Sequence, residues 1–305
     1  TLPGVARAVG GVLAAALFTV ALAVQPYWDK RVDSAEKALD PVNYPGARAI
    51  QGAQVPDVKP QPDPSLIAGV FPPIGLNDCM IFLPEAPDAM PGPDCTYGDL
   101  EAETTIVLAG GSHIEPFIVP LDKLGKEHHF KVATFVRQEC PLVVGGPLNP
   151  ANDIVSPECA EWGENAMQEI INLQPDLLVS TSTRPAGHAG DGRVSADYVP
   201  DAYANLWQRL AELGIPFVGL RDNPWMFTPS GEPMDPNLCV VAGYSEHACS
   251  MAADMVYAPK DPAAYFLDGA YAQWEIDTAG WYCVDGLCPP QIGNVYIYRD
   301  QNHIS

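Results

Sequence analysis

Asp300-Gln301-Asn302-His303 sets a carboxylate three residues before an imidazole. Far upstream, Gly110-Gly111-Ser112-His113 sets a serine directly after the apolar run 104–109. A serine hydroxyl is a weak nucleophile until a base takes its proton. An imidazole takes it only in one tautomer, which a neighbouring carboxylate can hold. Ser112, His303 and Asp300 are therefore read as nucleophile, base and orienting acid of an acyl-transfer site. Gly110 and Gly111 permit a tight turn from strand to helix, and the helix start offers unpaired N–H groups to a developing oxyanion. The Ser112 N–H is the first such donor. Each motif also has a plain reading: a serine at a helix start is an ordinary cap, and Asp and His are common in polar loops.

The remaining histidines carry less chemistry. His113 adjoins the serine but faces away from it if a helix starts there, so it reads as a packing or supporting residue. His128 and His129 end a predicted helix, where a cation suits the dipole. His188 lies in a glycine-rich loop beside the expected site, and His247 lies between Cys239 and Cys249. No set of residues has metal-ligand spacing. No Gly-Lys-Ser/Thr follows Gly110-Gly111, so this is not a phosphate loop.

Positioning these groups needs a scaffold. From residue 104 onward, buried strand patterns alternate with amphipathic ones. Strands are predicted at 104–109, 130–136, 176–180, 215–220 and 294–298. Helices are predicted at 115–128, 158–173, 202–213 (closed by Gly214) and 263–274. Alternation of this kind predicts an α/β fold with a doubly wound parallel sheet between two helix layers. Ligands of such sheets sit beyond the carboxyl ends of the strands. Ser112 follows the first predicted strand and Asp300 follows the fifth, which puts both motifs at that edge.

Composition narrows the setting. With 16 Lys and Arg against 38 Asp and Glu, the net charge is -22. Such a surface repels phosphate backbones, which argues against nucleic acid as a partner. Eight cysteines fall into four sequence neighbours: Cys79–Cys95, Cys140–Cys159, Cys239–Cys249 and Cys283–Cys288. Local pairing is the simplest of 105 connectivities, and disulfides imply an oxidising compartment. Residues 8–24 are uninterruptedly apolar and end at Tyr27-Trp28. They read either as a signal peptide cleaved after Ala21-Leu22-Ala23 or as a membrane helix with an interfacial aromatic belt. Thr1 in place of Met favours the second reading and a longer parent chain. The expected organisation is a membrane helix within 1–28, a proline-rich extracytoplasmic linker over 29–100 and a catalytic domain over 101–305.

At these residues the chain resembles the SGNH (GDSL-like) hydrolases, and more narrowly the SGNH domain fused behind an acyltransferase-3 membrane domain. The resemblance rests on the first strand with Gly110-Gly111-Ser112-His113, on Glu139-Cys140-Pro141 and on Asp176-Leu177-Leu178-Val179. It continues in the closing stretch Cys283-Val284-Asp285-Gly286-Leu287-Cys288-Pro289-Pro290, with Tyr298-Arg299-Asp300 and His303. It implies a three-layer SGNH fold cut short before its last helix, and it favours the membrane-helix reading. It also implies that a membrane domain draws an acyl group, usually acetyl, from cytoplasmic acyl-CoA. The SGNH domain would pass that group to an envelope polysaccharide or glycolipid outside the cell, with no cofactor of its own. Two departures stand out. Gly111 replaces the aspartate of the commoner Gly-Asp-Ser-His. Ser180-Thr181-Ser182-Thr183-Arg184 stands where the superfamily carries its oxyanion Gly and Asn. Gly111, Ser182, Arg184 and a backbone N–H near Cys140 are the expected substitutes. The alternatives to a transferase are an esterase that uses water on the same triad and a degenerate binding module.

Overall fold

The computed structural model of the protein describes residues 18–20, 22–24, 26–31, 34, 39–145, 155–185 and 196–304. Its centre is a seven-stranded sheet: β1 (Met80–Ile81), β2 (Thr96–Gly98), β3 (Thr105–Gly110), β4 (Lys131–Arg137), β5 (Leu177–Thr181), β6 (Phe217–Leu220) and β7 (Gln273–Ile276). The spatial order is β1-β4-β3-β5-β6-β7, all parallel, with β2 antiparallel on β4. β3 and β5 are continuous apolar runs because both of their faces are covered. Counted from β3 to β7, the five principal strands lie in the order 2-1-3-4-5. Winding reverses between β3 and β5, and a crevice opens there at the carboxyl ends.

Three helices cover the sheet. α1 (Ile118–His128) packs Ile118 and Leu121 onto Leu108, Val132 and Val136. α2 (Pro157–Leu173) and α3 (Asp201–Leu213) lie on the other face, where Trp162, Met167, Ile170, Leu206 and Leu210 meet Val107, Leu178 and Phe217. Full burial of each such side chain stabilises by roughly 1.5–3 kcal/mol. Ser156 caps α2 by accepting the Cys159 N–H at 3.2 Å. Gly214 ends α3 in the left-handed region, as its place after the periodic run predicts.

Two predicted elements are different in the structure. Residues 263–274 are not a helix. Asp261 caps a 3-10 turn over Pro262–Tyr265, and the chain then breaks at Gly269, whose φ is +93°. The remainder becomes β7, the fifth parallel strand. Its sequence, Gln-Trp-Glu-Ile, hides it: an edge strand is half solvated and need not be apolar. Conversely, residues 294–298 do not join the central sheet. Val295–Tyr296 pairs with Gln291–Ile292 and touches Gln61. Only Tyr296 and Tyr298 of that stretch are buried, the period-two signature of a half-covered strand.

The central sheet also takes in strands from before residue 101. β1 and β2 follow one another along the same edge of β4 and are joined by the Cys79–Cys95 disulfide. At two and three residues, neither carries a readable period. The preceding segment is fastened too: the Gln61 N–H donates to the Asn294 carbonyl, and the Tyr296 N–H donates to the Gln61 carbonyl, both at 2.9 Å. All four neighbouring cysteine pairs are bonded. Among the described residues no helix is long and apolar enough to cross a membrane. The apolar run 8–24 lies largely outside the described residues, as do His188 and most of its loop.

Candidate active site

Ser112 stands just past the carboxyl end of β3. Gly110, at φ +146°, turns the chain there, and a Cβ on it would come within 3.3 Å of Ser180 Oγ. Helix does not begin at once. A turn over 111–114 and a 3-10 segment, Glu115–Phe117, precede α1. The turn is closed by the Ile114 N–H on the Gly111 carbonyl at 3.1 Å. Ser112 therefore projects into the crevice rather than capping a helix.

His303 arrives from a loop, not from a sheet strand. Arg299 N–H donates to the His303 carbonyl at 2.7 Å, and Tyr298 bridges to Ile304. The segment after β6 clamps this loop: Met226 N–H donates to the Gln301 carbonyl and Asn223 Nδ2 to the Asn302 carbonyl, each at 2.7 Å. The loop thus reaches the carboxyl edge although the stretch before it is outside the sheet.

The three groups form one chain of hydrogen bonds. Ser112 Oγ lies 2.7 Å from His303 Nε2. His303 Nδ1 lies 2.8 Å from Asp300 Oδ2 and 3.0 Å from Oδ1. An ionised carboxylate can only accept, so Nδ1 carries a hydrogen and, in the neutral ring, Nε2 accepts from the serine. Burial raises the Asp300 carboxyl pKa, but the His303 hydrogen bond and the N–H groups of Asn302 and His303 outweigh it and hold it at about 2. Asp300 thus stays ionised throughout the range in which an imidazole titrates.

The pocket around Ser112 has a volume of about 650 Å³. Gly111, Thr181, Arg184, Tyr203 and Trp225 help to line it, along with His113 and Asp222. Of the expected oxyanion groups, Gly111 and Arg184 are on its wall, and Arg184 stands over the Trp225 ring at 6.0 Å. Ser182 is fully buried behind β5, its N–H donated to the Leu220 carbonyl and its Cβ against Gly219. It is not part of the pocket wall. The Cys140 N–H is donated to the Arg137 carbonyl at 3.2 Å. What the Cys140 segment supplies is proximity: its backbone lies 3.4 Å from where a Gly111 Cβ would stand. Among the described residues, no cluster of His, Cys, Asp and Glu could hold a metal ion.

Sequence reading missed the partner of His113. Its Nδ1 lies 2.8 Å from Asp222 Oδ1, and its ring is 4.9 Å from both Trp225 and His303. His113 therefore faces the site. Asp222 is the second residue after β6, so the rule that drew attention to Ser112, a polar group just past a buried strand, would have found it.

A second buried contact ties the Ser112 and Asp300 segments together. Glu115, fully buried three residues after Ser112, pairs at 3.5 Å with Arg299, which directly precedes Asp300. Burial pushes the Glu115 carboxyl pKa up against the pull of Arg299 and His303. Phe71 packs 4.3 Å from the Arg299 guanidinium. Arg299→Met leaves Glu115 buried without a cation and should cost ~3 kcal/mol in chemical denaturation. Adding Glu115→Gln should recover much of that loss.

A larger groove, of about 890 Å³, lies on the α1 face of the sheet beside Leu177, Val179, Val218 and Leu220. It is almost wholly apolar and shares no lining residue with the Ser112 pocket.

A family model for the SGNH domain fused to AT3 domains matches residues 79–305. No curated protein matches the chain. Among solved structures, the periplasmic domain of the lipopolysaccharide acetyltransferase of Salmonella ser. Paratyphi A is similar at a TM-score of 0.45 and 13% identity. That match covers 68% of this chain and 79% of that one.

Proposed function

The chain belongs to the family of SGNH domains fused to AT3 domains, and from that premise we propose that it is an extracytoplasmic O-acyltransferase working through an acyl-Ser112 intermediate. The observation that carries this reading is the unbroken path Ser112 Oγ–His303 Nε2 and His303 Nδ1–Asp300. In the first half-reaction Ser112 Oγ attacks the donor carbonyl while His303 takes its proton and returns it to the leaving group. In the second, an acceptor hydroxyl attacks the acyl carbon, its proton passes to His303, and Ser112 leaves. The Ser112 N–H and Arg184 are the proposed oxyanion donors, with Gly111 giving the substrate close access to the backbone.

Family membership supports acetyl as the acyl group, an AT3 membrane domain as the partner that delivers it from acyl-CoA, and an envelope polysaccharide or glycolipid as acceptor. We read residues 8–24 as the membrane segment on the strength of their unbroken apolar sequence. Four disulfides support an oxidising, extracytoplasmic setting. An esterase would use the same triad with water in place of the sugar.

Mass spectrometry after brief exposure to p-nitrophenyl acetate tests the intermediate. One acetyl group on the peptide containing Ser112 is expected, and its loss on adding a soluble glycan should yield O-acetylated glycan. An unlabelled Ser112 overturns the proposal. A labelled Ser112 that yields only acetate in the presence of glycan makes the protein an esterase.

A further inference from the structure

Two His–Asp pairs line the Ser112 pocket, and the proposed triad uses one of them. The other, His113 with Asp222, is built with as much care. Asp222 is nearly inaccessible to solvent. Its Oδ1 faces His113 Nδ1 and also accepts the Asn223 N–H at 2.9 Å, while Oδ2 accepts the Trp225 indole N–H at 3.0 Å. The Asp222 N–H donates to Thr183 Oγ1 at 3.1 Å, and its carbonyl accepts the Tyr257 hydroxyl at 2.8 Å. Next to it, Arg221 is locked between Asp197 at 2.7 Å and Asp277 at 3.1 Å. A carboxylate so encumbered can only accept from His113 Nδ1. In the neutral ring, Nε2 is then a bare acceptor, and it is the one ring nitrogen that can meet a molecule in the pocket His113 lines.

Resting on the acyl-Ser112 reading, we infer that His113 selects the acceptor: its Nε2 accepts a hydrogen bond from the hydroxyl adjacent to the attacking one, so the site prefers a vicinal diol. The two imidazoles lie 4.9 Å apart, close enough for neighbouring hydroxyls of one sugar ring to address one each. The hydroxyl at His303 forms the bond to the acyl carbon and gives its proton to His303 Nε2. The bond from that carbon to Ser112 Oγ breaks, and Oγ recovers the proton from His303. The hydroxyl at His113 keeps its proton and only orients the ring. Water and simple alcohols can use the first imidazole but not both.

Partition of the acetyl group between competing acceptors tests this in the full chain, with p-nitrophenyl acetate as donor. cis-1,2-Cyclohexanediol and cyclohexanol, offered together at equal concentration, should be acetylated in a ratio of roughly 5–10 to 1, the worth of one hydrogen bond. The ratio is internal to each reaction and independent of how much protein is active. In His113→Phe, which keeps a ring against Trp225, the ratio should fall to the statistical value for two hydroxyls over one. His113→Leu, which removes both ring nitrogens and keeps an apolar side chain against Trp225, should also erase the preference. It carries the test if the Phe variant does not fold. A wild-type ratio at the statistical value, or an unchanged ratio in a folded variant, overturns the inference while leaving acyl-Ser112 intact. Absence of acetyl-Ser112 in the wild type overturns both.

Discussion

Ser112→Ala is expected to lower kcat/KM for acetyl transfer by roughly 10⁴–10⁶-fold. The size follows from what the hydroxyl does. In the proposed reaction Oγ bonds to the acyl carbon, and it lies 2.7 Å from His303 Nε2, the base that would take its proton. Alanine would leave the proposed oxyanion donors and the oriented imidazole, which accounts for a residue of catalysis rather than none. Stability should change little, since the hydroxyl's hydrogen bond goes to His303, at the edge of an open pocket. Matched thermal melts of both proteins, beside a p-nitrophenyl acetate assay, separate loss of chemistry from loss of fold. A variant keeping a tenth of wild-type activity would move the nucleophile elsewhere.

Asp300→Asn should cost roughly 10³–10⁴-fold in kcat, because it attacks the tautomer rather than the contact. The carboxylate accepts from His303 Nδ1 at 2.8 Å. An amide can present its NH2 to Nδ1 instead, which puts the ring hydrogen on Nε2 and blocks proton uptake from Ser112. The same change alters the acid behaviour of the fold. The native Asp300 pKa lies at about 2, below the ordinary 3.8 of an aspartate. A carboxyl depressed on folding gives stability that is complete above its unfolded pKa and disappears as pH falls through the folded one. The Asp300 increment is therefore present at pH 5 and lost between about pH 4 and pH 2. Urea denaturation at pH 5, 4, 3 and 2 should give a shallower decline for the Asn variant than for the wild type. Parallel declines would mean that Asp300 is not held ionised by His303 and its neighbouring N–H groups. The cost of Arg299→Met, by contrast, should be visible first as stability, since Arg299 touches Glu115 and Phe71 rather than the reacting atoms.

Much of the scaffold is readable because burial leaves a local trace. β3, β4, β5 and β6 are built mostly of apolar and β-branched residues, and α2 and α3 repeat their apolar positions at helical spacing. Each was legible to within a residue or two. β7 and the 291–296 hairpin were exchanged for the same reason in reverse. An edge strand carries Gln and Glu because one side is wet, whereas the stretch around Tyr298 looks apolar because Ile297 and Tyr298 pack into a satellite core with Trp225 and Met226. Apolar content measures burial but does not say which sheet supplies it. The inference that set Asp300 at the sheet edge therefore used the wrong strand. The clamp by Asn223 and Met226, and the Arg299–Glu115 pair, bring it there instead.

By itself, the sequence determined which residues could do acyl chemistry, what kind of sheet would carry them, and which cysteines were neighbours enough to pair. These depend on residue type and on spacing within a few turns or one strand, which the chain encodes locally. Only the tertiary structure decided that Ser112 and His303, separated by 191 positions, share one hydrogen bond. It also withdrew Ser182 from the pocket and turned His113 toward it with Asp222 behind. Those outcomes depend on how distant loops pack against one another, and contacts between loops have no period for a sequence to display.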